Sequence, residues 1–209
     1  MIPMSEAPDP KTFFGERFPA QMNRALAEQE QATAAAQRTL DGMRAVAATL
    51  RFVVTGAGGG TFYVNLAEGR STASDAPAHP PFLTLSLDRS HYEPLWREAG
   101  DNVLGFLGGI SGMAAPIKLT QFRVNQIAEV GGTLLFELTG AGGFALYARL
   151  GEGDPSNPAD TTIRVDTVAY RELRAGRLEP QDAFMAGKIQ VEGDMQRAMQ
   201  LALAVLSPD

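Results

Sequence analysis

The chain has 209 residues, 44% of them apolar and 20% charged, a balance that supports a folded core and excludes disorder throughout. It contains no cysteine, which removes disulfides, thiolate metal sites and cysteine nucleophiles, and its two histidines leave little for any other metal centre. The formal net charge of -6 runs against a nucleic-acid partner, because phosphate contacts need clustered Lys and Arg.

In chain order, residues 1–12 read as a disordered tail that lacks the basic and apolar regions of a signal peptide, so a cytoplasmic protein is expected. Residues 13–50 read as a helical segment: Pro19 to Leu50 is alanine-rich and spaces Met22, Leu26, Ala36, Leu40, Met43, Ala47 and Leu50 along one stripe. Asp41-Gly42 is a candidate break, and Gln29 and Thr33 on the stripe argue against a long coiled coil. A strand at 51–55 meets the glycine run 56–60, and Thr61 to Leu66 continues as a strand. A dinucleotide-binding loop needs a helix there, so the glycines are assigned to a hairpin turn. A Pro-rich loop at 70–82 leads to a third strand, to Asp88 as a helix N-cap, and to a short helix weakened by Pro94 and ending near Gly100. The apolar run Val103 to Ile117 holds Gly105, Gly108, Gly109 and Gly112, too short and glycine-rich to span a bilayer, and reads as buried turn-and-strand structure. Pro116 to Val130 favours a helix, with a strand as the alternative.

The same order then recurs. Residues 52–69 (FVVTGAGGGTFYVNLAEG) align without a gap to 136–153 (FELTGAGGFALYARLGEG), and ten of the eighteen positions are identical, more than chance delivers. Residues 83–95 likewise match 161–173, pairing Asp88 with Asp166, Tyr92 with Tyr170 and Leu95 with Leu173. The second copy runs on past Gly176 through Pro180, which suits the start of a short helix over Gln181–Met185, to a strand at Lys188–Glu192. Gly193-Asp194 then opens a last helix, Met195 to Leu206, whose end is apolar all round.

No catalytic constellation stands above background. Gly109-Ile110-Ser111-Gly112-Met113 misses the nucleophile elbow because its last glycine comes one place early. His79 and His91 have no metal partner at ligand spacing, and Asp154 and Asp160 read as solvated turn residues. Arg171, Arg174 and Arg177 form a basic ridge, read as a solvated helix face, with attraction of an anionic lipid head or membrane surface as the alternative.

The segment Leu178 to Leu206 resembles the C-terminal part of the sterol carrier protein 2 (SCP2) family. A polar turn leads to Phe184-Met185, Gly187, the short strand Lys188-Ile189-Gln190-Val191, then Gly193-Asp194 and the apolar helix from Met195. The hairpin and strand-Asp-helix of 133–176, and Phe13 to Pro19, are also similar to that family. The likeness is weak over 51–112, where Ala115-Pro116-Ile117 replaces the Gly-Asp-Met step. The resemblance implies an α+β fold of largely antiparallel sheets covered by helices, in two pseudo-symmetric repeats: a divergent first unit at 51–130 and a second unit at 131–209. It further implies non-catalytic binding and transport or presentation of a fatty acid, acyl-CoA, sterol or similar lipid in an apolar tunnel. The lining would be Phe184, Met185, Ile189, Met195, Met199 and Leu203, with Tyr147 and Phe106, and the larger cavity is expected in the second unit. No cofactor, metal or catalytic residue is expected. The partners expected are a lipid and a transient membrane contact. The alternative is an accessory module that joins an enzyme partner without a lipid site of its own.

Overall fold

The structure, a computed structural model, describes residues 9, 11, 16–100, 103–109 and 117–206. Most of the expected tail, the start of the Phe13 to Pro19 motif, and the stretch from Ile110 to Pro116 with its near-elbow lie outside the described residues. The chain divides into two units, residues 1–41 and 42–209.

Helix α1 (Phe18–Arg44) follows from its alanine content and runs unbroken through Asp41-Gly42. It ends before the expected Leu50, because Ala48, Thr49 and Leu50 already belong to β1 (Ala48–Thr55) and are buried there. Strand pairing overrides the helical preference of the alanines at this junction.

β1 folds back on β2 (Gly60–Ala67), and β5 (Thr133–Thr139) folds back on β6 (Phe144–Leu150). The two turns have the same shape. Gly56 and Gly58 lie at φ 92° and 77°, Gly140 and Gly142 at 91° and 78°, in the left-handed region that favours glycine. The third strands, β4 (Pro81–Asp88) and β7 (Thr161–Asp166), run parallel to β1 and β5 in matching register, with Thr55 beside Asp88 and Thr139 beside Asp166. Each Asp caps the helix that follows. Asp88 accepts from the Ser90 N–H at 2.9 Å to open α2 (Arg89–Ala99), and Asp166 accepts from the Val168 N–H at 2.8 Å to open α5 (Thr167–Arg174). The Ser90 hydroxyl and N–H also hold the Asp88 carboxyl below its usual value. The correspondence reaches beyond the aligned sequence: the Thr49 hydroxyl accepts from the His79 N–H, and the Thr133 hydroxyl from the Ser156 N–H.

Two segments differ from expectation. Arg70–Ser74, expected in a loop, forms β3 against β2, where its backbone groups find partners that a loop would leave to water. Val103–Gly109, expected as turn and strand, is helix α3, because that geometry seats Phe106 in the core. The favoured helix after it forms as α4 (Gln121–Val130), capped by Thr120. Then α6 (Pro180–Met185), β8 (Ile189–Gly193) and α7 (Met195–Leu206) follow as the sequence predicts, with Asp194 accepting from the Arg197 N–H at 3.1 Å.

Among the described residues, eight strands form one sheet in the order β3-β2-β1-β4-β6-β5-β7-β8, antiparallel except at β1–β4 and β5–β7. The fold is α+β. Antiparallel pairing of β4 with β6, Leu83 beside Leu150 and Ser86 beside Tyr147, joins the halves. β4 therefore stands beside β6 where β3 stands beside β2, so the strand pairings of the two halves follow the same order. Leu134, Phe136, Leu146, Ala148 and Leu85 point to the helix-covered face, while intervening residues such as Leu135 and Tyr147 lie on the other.

The hairpin turns carry a direct prediction. A Cβ on Gly59 would lie 2.0 Å from the Val54 carbonyl oxygen, and one on Gly143 2.2 Å from that of Leu138. Gly59→Ala and Gly143→Ala should each cost about 3 kcal/mol or more, lowering the melting temperature by about 2–4 °C per kcal/mol, whereas Gly187→Ala, with open space around it but at φ 71°, should cost only the backbone strain of about 1–2 kcal/mol. Thermal unfolding followed by circular dichroism measures all three.

Candidate functional site

Helix α3 sits between the halves and treats them differently. Its Phe106, 1% exposed, packs over the second half against Phe144, Tyr170 and Phe136, with ring centroids 5.0, 5.1 and 6.3 Å away. Burial pushes the Tyr170 phenol up to about 12. Beneath α3 and α4, where β4 meets β6, a closed apolar space of about 10 Å³ lies among Phe82, Leu83, Leu104, Ile117, Leu150 and Leu201. That is too small for a ligand.

In the first half the equivalent place is open. A cavity of about 470 Å³ lies between β1, β2 and α2, lined by Phe52, Val54, Phe62, Leu87, Tyr92 and Leu95, with Val103 of α3 at its side. Along the alignment those six correspond to Phe136, Leu138, Leu146, Val165, Tyr170 and Leu173 of the second half. The space that Phe106 fills over Phe136 and Tyr170 is thus unfilled over Phe52 and Tyr92. The expectation that the second unit holds the larger apolar cavity is corrected: α3 directs its phenylalanine one way only. The Arg89 guanidinium stands 5.2 Å from the centre of the Tyr92 ring and, among the described residues, is the one charged side chain in this lining.

The basic ridge is exposed, as expected of a solvated helix face, and two of its arginines also reach a buried partner. Arg171 forms an ion pair with Glu98 of α2, 7% exposed, and Arg174 donates to the Glu98 carbonyl oxygen, so the ridge fastens α5 to α2. Glu98 raises the Arg171 guanidinium above its ordinary value by hydrogen bonding and by charge. His91 is likewise structural, its Nδ1 accepting from the Ala145 N–H at 3.3 Å. Among the described residues no group of three or more His, Asp or Glu is placed to hold a metal, and no helix is long and apolar enough to cross a membrane.

The residues named from the family resemblance do not meet in one cavity. Phe106 and Ile189 are in the core, and Tyr147 is on the sheet face away from the helices. Phe184, Met185, Met195, Met199 and Leu203 are exposed, Met185 at 79%. Leu203 borders an open, mixed polar groove of about 350 Å³ between α4 and α7, with Gln126, Glu129 and Gln200. The first-half lining was missed, although Phe52, Val54, Tyr92 and Leu95 stand in the aligned repeat opposite residues that are buried in the second half.

Residues 118–205 match the model of the SCP-2 sterol transfer family and carry an SCP2 domain. Hydroxysteroid dehydrogenase-like protein 2 of Homo sapiens is 36% identical over 87 residues, 41% of this chain and 20% of the relative; the Bos taurus protein is 33% identical over the same shares. That of Danio rerio is 32% identical over 128 residues, 59% of this chain and 28% of the relative. The chain thus spans about a fifth to a quarter of the length of these relatives. Among solved structures, apo sterol carrier protein 2 from Yarrowia lipolytica aligns at 20% identity and TM-score 0.34, covering 53% of this chain and 93% of that one. Sterol carrier protein 2 like 2 from Aedes aegypti aligns at 18% and 0.34, covering 52% and 96%.

Two outcomes follow from this packing. Phe106→Ala should destabilise the chain by about 3–5 kcal/mol, read by denaturant unfolding, because it empties the aromatic cluster. The Tyr170 phenol keeps its proton to about 12 when folded, against about 10 in an unfolded chain. The stability this gives is fully present below about pH 10 and is lost as pH rises toward about 12. Phenolate absorbance should show one late-titrating tyrosine, and Tyr170→Phe should remove both that phase and the matching fall in stability.

Proposed function

We propose that this chain, with an SCP2 domain at residues 118–205, binds and transfers or presents a hydrophobic ligand, and that the ligand sits in the cavity of the first half between β1, β2 and α2. The observation that carries the reading is the asymmetry about α3. One half fills its apolar space with Phe106, and the other leaves about 470 Å³ at the corresponding place, within the range of small-molecule sites. The lining is aliphatic and aromatic apart from Arg89, which suits a fatty acid, acyl-CoA, sterol or similar lipid. No group in it is placed for acid–base or nucleophilic work, so the proposed role is non-catalytic.

A second reading rests on the exposed apolar residues Phe184, Met185, Met195, Met199 and Leu203. They are proposed as a surface by which the chain joins an enzyme partner. The relatives' name, hydroxysteroid dehydrogenase-like protein 2, and the small share of their length matched here support an accessory role beside an enzyme.

Displacement of a fluorescent fatty acid or sterol analogue separates the two. Val54→Trp should fill the first-half cavity and weaken binding at least about tenfold while the melting transition persists, and Met199→Trp should leave binding unchanged. Weakening by Met199→Trp alone would move the site to the second half. Absence of binding by the unaltered chain would favour the accessory role.

A further inference from the structure

Helix α1 is the longest element of the chain, 27 residues and about 40 Å at about 1.5 Å per residue. None of its residues is buried. Isolated helices in water draw little stability from propensity alone, and an apolar row left in water adds cost. Met22, Leu26, Leu40 and Met43 form such a row, exposed by 51%, 62%, 40% and 39%. Gln29, Thr33 and Ala36 complete it, so that Met22, Leu26, Gln29, Thr33, Ala36, Leu40 and Met43 recur at alternating spacings of four and three, the seam of a two-stranded coil.

We propose that α1 pairs antiparallel with α1 of a second copy of this chain, centred on Gln31. The polar residues that argue against a long coiled coil do so for a parallel pair, which sets Gln29 on Gln29, Thr33 on Thr33, and small Ala36 on Ala36. Antiparallel pairing sets Gln29 against the partner's Thr33, amide against hydroxyl, with hydrogen bonds available in both directions. It sets Leu26 against the partner's Ala36 and Met22 against the partner's Leu40, large against small or flexible, which fills the seam evenly.

Charge favours the same direction. The N-terminal half of α1 carries Glu28 and Glu30 against Arg24, and the C-terminal half carries Arg38 and Arg44 against Asp41. Each half has one unit of excess charge, of opposite sign, so antiparallel halves attract and parallel halves repel. The helix dipoles also oppose one another favourably. The register creates one like-charged contact, Glu30 beside the partner's Glu30 on the flank of the seam.

The chain has no cysteine, so single introduced cysteines report the register cleanly. Sedimentation equilibrium of the full chain should give a dimer. Glu30→Gln should tighten it, and Leu26→Glu with Leu40→Glu should weaken it at least about a hundredfold, while the melting of the 42–209 unit stays unchanged. Under mild oxidation Met22→Cys and Leu40→Cys should each stay unlinked alone and form a disulfide-linked dimer when mixed. A monomer at all concentrations, a dimer indifferent to the Leu26→Glu and Leu40→Glu changes, or linking of Met22→Cys to itself would each overturn the proposal.

Discussion

Leu83 to Ser86 of β4, set antiparallel against Leu150 to Tyr147 of β6, is the junction on which the rest of the 42–209 unit depends. Each half alone would leave a strand edge open there, with a row of unpaired backbone groups. Joined, the halves share one sheet and one helix-covered face. The junction also brings α2 beside β6, so that His91 accepts from the Ala145 N–H and Glu98 reaches Arg171 and Arg174. The two halves thus pair their strands in the same order and meet at their inner edges.

Merging the edges makes the halves unequal although their hairpins match. Helix α3 presents Phe106 to one side, against Phe136, Phe144 and Tyr170. The second half gains a dense aromatic cluster with Tyr170 at its base, and the first half keeps Val103 beside an unfilled apolar space. The two halves thus differ in packing, one being the packed scaffold and the other the proposed container. The family match falls on the packed half, while the proposed site falls on the half that has diverged from it.

Much of the local structure was legible because its causes are local. Both Gly-Ala-Gly-Gly turns, the Asp88, Asp166 and Asp194 caps, Pro180 at a helix start and the alternation along β6 follow from residue chemistry at fixed spacing. What failed to show was set by partners distant in sequence. Arg70–Ser74 becomes a strand because β2 offers it an edge, and Val103–Gly109 becomes a helix despite three glycines because Phe136, Phe144 and Tyr170 receive Phe106. The arginine ridge is exposed as read, but its hold on Glu98 did not show because that residue lies 73 residues away from Arg171. The methionines of α7 looked like a lining because their spacing is that of a buried face, yet Met195 and Met199 are exposed.

By itself, then, the sequence determined the hairpin-strand-helix order, the helix caps and the absence of cysteine, all of which rest on side chains and their immediate neighbours, while the α+β class came from the resemblance to the SCP2 family. Only the tertiary structure decided that the two halves share one sheet and which half holds the open space. The first depends on the β4–β6 pairing, and the second on where α3 places Phe106. Phe52 and Phe136 read alike in sequence, but only Phe136 meets the ring of Phe106, because the β4–β6 junction carries α3 over the second half.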